Sequence, residues 1–148
     1  MTDYDSLEDH RVKHLEMIQS VIGRLGNDSF LVKGWTITVA GVFYGFAIQT
    51  TNWKLAAASA APTLAFWILD VYFLRAERLF RALHDHVRQP TSEIEPFFMN
   101  ATSSAFITMA QAKDNSIGSW WGTAWRPTLS FFYLALLVFA GIVVVTTA

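Results

Sequence analysis

Cysteine is absent from all 148 residues, which excludes disulfides, thiolate metal sites and cysteine nucleophiles. Charge is scarce as well: Asp, Glu, Lys and Arg make up 16% of the chain and nearly cancel, at a formal −1. Net charge alone therefore points to no partner. There is no nucleophile elbow, no phosphate-cradling glycine loop and no helical zinc motif. Within the long apolar runs only one carboxylate, Asp70, occurs, so a paired-carboxylate site inside a membrane is excluded and no enzyme is expected. His84-Asp85-His86 comes nearest to a catalytic cluster, yet adjacent residues on a helix do not face one another. His10 and His14 stand one turn apart without a third ligand and are expected to be plain surface residues. No metal or cofactor is expected, and no secretory signal precedes the first apolar stretch near Phe30.

What the chain has in quantity is apolar surface. It is 53% hydrophobic and 15% aromatic, with mean hydropathy +0.31, in a length that suits one domain. The pattern predicts an all-α integral membrane protein. Residues 1–28 form a cytoplasmic amphipathic helix, with Leu15, Ile18, Ile22 and Leu25 as its apolar seam. Gly26 and Asn27 suit a helix stop, and Asp28 or Ser29 a new cap. Residues 29–50 form the first transmembrane helix, with Lys33 at its mouth. After a turn at 51–54, residues 55–89 form a second span, kinked at Pro62, that continues as a basic cytoplasmic helix. Residues 90–118 are a cytoplasmic linker with short helices. Residues 119–148 combine an interfacial anchor, in which Trp120, Trp121 and Trp125 adjoin Arg126 and Pro127, with a third span expected at the periphery.

Three groups of residues are candidates for function. Asp70 lies within the second span, where a carboxylate faces a bundle interior or a water-filled cavity rather than lipid. Arg75, Arg78, Arg81 and Arg88 follow it along the same helix. They suit an anchor on anionic lipid, internal pairing with Glu77, Asp85, Glu93 or Glu95, or a receptor for phosphate. Gly34, Thr38, Gly41, Gly45 and Gln49 fall on one face of the first span, and Gly41 to Gly45 is a GxxxG. That strip suits either close helix packing or the lining of a conduction path.

Orientation follows from the cations. Arg11, Lys13, Arg24, Lys33, Arg75, Arg78, Arg81, Arg88, Lys113 and Arg126 fall on one side of a three-span arrangement, and Lys54 on the other. The positive-inside rule then puts the N-terminus in the cytoplasm and the C-terminus on the far side of the membrane.

A family pattern runs through the same residues. The segments His14-Leu15-Glu16-Met17-Ile18-Gln19, Val21-Ile22-Gly23-Arg24-Leu25, Asn27-Asp28-Ser29-Phe30 and Lys33-Gly34-Trp35 carry its first part. Phe66-Trp67, Leu69-Asp70, Tyr72-Phe73-Leu74-Arg75 and Glu77-Arg78-Leu79-Phe80-Arg81 carry its second. Over about residues 10–88 the chain resembles small bacterial membrane proteins encoded beside a nucleotidyltransferase, as in the Hailong anti-phage system. The resemblance implies an oligomeric ion channel held shut by a short single-stranded DNA that the partner enzyme makes. On that reading the arginines bind the nucleotide or single-stranded DNA ligand, Asp70 and the strip shape the pore, and the assembly is a homo-oligomer, expected as a tetramer. The competing expectation is a non-conducting membrane scaffold that recruits a cytoplasmic partner through residues 1–26 and 91–118.

Overall fold

The computed structural model describes residues 3–89 and 94–148, with side chains from residue 8 onward. Among these residues the protein is all-helical. Helix α1 (Asp3–Thr50) is followed by α2 (Trp53–Ala58), α3 (Ala60–Val87), α4 (Ser104–Lys113), α5 (Trp120–Ala124) and α6 (Pro127–Thr147). Three stretches are long and apolar enough to cross a membrane: one within α1, one through α2 and α3, and α6. The protein is thus a membrane-embedded helical bundle with a polar extension. The proposed pairing of an arginine with Glu93 lies outside the described residues.

The first helix does not stop at Gly26. Its 48 residues run unbroken for about 72 Å at 1.5 Å per residue. Glycine and asparagine there cost about 1.5 kcal/mol together in helix propensity. Packing on both sides carries the helix through: Ile18 is buried before the glycine and Val32 and Ala40 after it. A helix end beside the apolar phase would also leave backbone groups unpaired.

In the second span the break falls at Ser59, between α2 and α3, rather than at Pro62. Proline clashes with the carbonyl four residues earlier, here Ala58, so the disruption appears just before Ser59. Ser59 repairs the break, donating its hydroxyl to Ala56 O at 2.6 Å and accepting from Thr63 N at 3.2 Å. Thr51 and Asn52 alone form the turn before it, and Asn52 Oδ1 caps α2 by accepting from Lys54 N.

Two cores follow from this layout. In the extension, Ile18 of α1 packs on Leu79, Leu83 and Val87 of α3, and Phe106 and Ala110 of α4 close the layer. The predicted seam thus packs within the chain, with Leu15 and Ile22 at its margin. Among the spans, contacts are made by small residues: Ala40 and Ala140 around Tyr44, then Ala47 and Ala56 against Val143. Helix α6 is not peripheral to the chain. It packs against α1, α2 and α3, and Tyr44 Oη donates to Leu136 O across the α1–α6 contact at 2.9 Å.

Candidate functional site

At 100° per residue, Ser29, Lys33 and Thr36 share the face of α1 that continues as Ala40, Tyr44 and Ala47. That face is turned into the bundle. Ser29 and Thr36 are buried there, and Lys33 is mostly covered. Opposite Ser29 and Lys33, α3 places Asp70, which is 0% exposed. Lys33 Nζ lies 2.5 Å from Asp70 Oδ2, and the Ser29 hydroxyl donates to Oδ1. From α6, Tyr133 Oη donates to Oδ2 at 3.1 Å and also lies 3.3 Å from Phe66 O. Lys33 Nζ in turn donates to Ser29 Oγ at 2.8 Å.

A carboxylate, an ammonium and two hydroxyls from three helices therefore meet where the spans join the extension. Asp70 remains the one carboxylate of the spans, but it is joined there by polar groups that sequence reasoning did not connect with it. Its placement toward a bundle interior agrees with the structure, and the interior is that of its own chain. With donors from α1 and α6 on both oxygens, Asp70 ties the helices together. Burial of an ion pair is favourable only when the remaining hydrogen-bonding capacity is met, and here Ser29 and Tyr133 meet it. Aromatic rings seal the cluster: Tyr133 stacks on Trp67 with centroids 6.0 Å apart, and Phe132 meets Tyr133 edge-on at 4.9 Å.

The strip Gly34, Thr38, Gly41, Gly45 and Gln49 lies about 150° around α1 from that cluster and is exposed throughout. A Cβ built on Gly34, Gly41 or Gly45 meets nothing within 4 Å. The strip is therefore not used for packing inside the chain, and the structure does not bring it together with Asp70.

The arginines divide in a way their spacing does not reveal. Arg75 Nε donates to Gly118 O at 2.6 Å, and its guanidinium stands 5.5 Å from the Trp120 ring centroid. Arg78 donates to Ser116 O, Ser116 Oγ and Thr123 Oγ1 at 2.8–3.3 Å. These two hold the α4–α5 loop against α3. Arg81 forks onto Glu77 Oε1 at 2.6 and 2.8 Å, which agrees with internal pairing. Arg88 is exposed beside Arg11, whose guanidinium donates to Val87 O and Arg88 O and so caps the end of α3. A four-arginine phosphate site is not assembled within one chain, because loop carbonyls and Glu77 already take up three of the guanidinium groups. In that loop, Asp114 accepts from Ser116 N at 2.8 Å. The backbone and hydroxyl of Ser116, helped by Arg78, hold the Asp114 carboxyl below its usual range.

Of the two N-terminal histidines, His10 is exposed as expected and His14 is not. His14 is buried, with Nε2 2.8 Å from Phe98 O, and is not a surface residue. No group of three potential metal ligands occurs among the described residues.

Sequence reasoning missed Ser29, Thr36 and Tyr133 and treated Lys33 as a flanking cation. On α1 the signal was positional: Ser29, Lys33 and Thr36 stand at i, i+4 and i+7, in register with the alanine face that follows. Together, fold and cluster define a three-span helical membrane protein with a buried ion pair at the root of its extension. No family model, curated protein or solved structure matches the chain.

Proposed function

We propose that the chain assembles into a homo-oligomeric ion channel, with the Gly34-to-Gln49 face of α1 toward the axis, which serves as a membrane effector of bacterial anti-phage defence. The observation that carries this reading is the open strip: a charge-free row of small and polar residues, exposed on a helix whose opposite face is filled. Lipid gains nothing from glycine and glutamine, whereas small residues let helices of sister chains approach closely. Polar side chains at an axis also give a hydrated path. The defence role and the nucleotide or single-stranded DNA ligand rest on the family resemblance. Since Arg75, Arg78 and Arg81 have partners in the chain, and Arg11 is engaged by Val87 O and Arg88 O, Arg88 is the cation of the four better placed for a cytoplasmic ligand. The orientation with the C-terminus outside is part of the proposal, and an alkaline phosphatase fusion at Ala148 should be active.

Membrane potential, read with a voltage-sensitive dye in bacteria expressing the chain alone, tests conduction. Wild type should depolarise the cells, and Gly41→Leu should reduce the effect at equal membrane expression. A stable potential for wild type, combined with loss of a co-purifying cytoplasmic protein on deletion of residues 1–26, would favour the scaffold. Asp70→Ala is a poor probe of the pore, since it removes the counter-charge of Lys33 within the bundle.

A further inference from the structure

On the outer surface of α3, where α5 lies against it, Trp67, Ile68, Val71, Trp120, Trp121 and Ala124 enclose a groove of about 240 Å³. Its lining is wholly apolar, and Trp121 and Ile68 are largely exposed, at 76% and 64%. Helix α5 immediately precedes the α6 span, so the groove lies where hydrocarbon gives way to headgroups, the depth that tryptophan favours.

Cations adjoin the groove's lining: Arg75 at its Trp120 and Arg126 two residues along the chain from its Ala124. The Arg75 guanidinium covers the Trp120 wall. Arg126 is exposed, makes no side-chain cap of α6, and is close enough to Arg78 for the two like charges to repel. Asp114 answers that charge only in part, from 4.0 Å and half exposed. An apolar slot beneath an excess of arginine matches one kind of molecule in a membrane, a chain of hydrocarbon ending in an anion.

We propose that this groove is a binding site for an anionic phospholipid, with an acyl chain against Trp67, Ile68 and Trp121 and the phosphate headgroup at Arg126, the guanidinium that no loop carbonyl is shown to hold. Charge complementarity selects the occupant. A zwitterionic lipid fills the slot equally well but leaves the arginine repulsion in place, whereas an anionic headgroup relieves it. The site differs from the axial strip, which lies on α1, and does not depend on conduction.

Quenching of tryptophan fluorescence by brominated lipid tests the proposal. Trp35 and Trp53, both exposed, are replaced by Phe, so that emission comes from Trp67, Trp120, Trp121 and Trp125. The protein is reconstituted with increasing brominated phosphatidylglycerol or brominated phosphatidylcholine. Half-quenching should occur at about fivefold lower mole fraction of the anionic lipid, the size expected for one juxtamembrane cation. Arg126→Gln should bring the two curves together without changing the thermal unfolding midpoint. Equal curves for the two headgroups before the substitution, or a preference that survives Arg126→Gln, would overturn the site.

Discussion

One face of α1 carries Ser29, Lys33 and Thr36, and another, about 150° around the helix, carries Gly34, Thr38, Gly41, Gly45 and Gln49. Both are polar by the standard of a membrane span, yet the first is sealed inside the chain and the second is left open. The difference follows hydrogen-bonding demand. An ammonium and a carboxylate in a membrane need charged or hydroxyl partners, and Lys33 and Asp70 find them in each other, Ser29 and Tyr133. Glycine makes no such demand, and Thr38 meets its own by donating to Gly34 O at 3.0 Å. The inner face is committed to the fold, while the outer face is free to meet another molecule.

The comparison breaks first at Asp70. Asp70→Ala leaves the Lys33 ammonium largely buried without a counter-charge, a change that costs about 3–5 kcal/mol for pairs of this kind. Lys33 retains some exposure and can reach toward water, so the low end is expected. Thermal unfolding in bicelles, followed by tryptophan fluorescence, measures it. The double variant Lys33→Met with Asp70→Leu should recover most of the loss, since an apolar pair of similar size removes both desolvation penalties. A double variant as unstable as Asp70→Ala would mean that the carboxylate matters through Ser29 and Tyr133 rather than through Lys33.

A smaller effect separates the third helix from the other two. Tyr133→Phe keeps the stack on Trp67 and removes only the hydroxyl that reaches Asp70 and Phe66 O. Hydrogen bonds between membrane helices average about 0.6 kcal/mol, and a charged acceptor roughly doubles that, to about 1 kcal/mol. A loss above 2 kcal/mol in the same unfolding measurement would make α6 an equal member of the cluster rather than its lid.

How much of this could be read in advance depended on whether a partner was local. The three spans were legible because length and apolarity are properties of single segments, and the α1 seam because Leu15, Ile18 and Ile22 repeat at helical spacing. The continuity of α1 was hidden because Gly26 and Asn27 carry a local stop signal, which packing on both sides outweighs. Tyr133 was hidden for another reason. Helix α6 is apolar on every side, so its sequence does not define its rotation, and nothing marks the side that meets Asp70. The arginines showed their charge but not their partners, since Arg75 and Arg78 bind loop carbonyls, which have no side-chain signature. The outer strip was legible as a face. Which of its two readings applies depends on other copies of the chain, and the fold contributes only its openness.

The smallest effect on the fold is therefore the most informative about that face. Gly41→Leu adds a side chain where nothing lies within 4 Å, and leucine is the better helix former by several tenths of a kcal/mol. Unfolding of the detergent-solubilised monomer should change by less than about 0.5 kcal/mol, as is usual for a substitution that meets no neighbour. Chemical crosslinking in membranes should nevertheless shift from oligomer toward monomer, because four added carbons hold apart helices that glycine lets touch. The two readouts must diverge if the strip serves association. Monomer stability falling together with crosslinking would mean that the chain packs against its own strip in the membrane, and that the inner and outer faces of α1 do the same job. Crosslinking unchanged at full monomer stability would leave the strip facing lipid and remove the observation on which the channel rests.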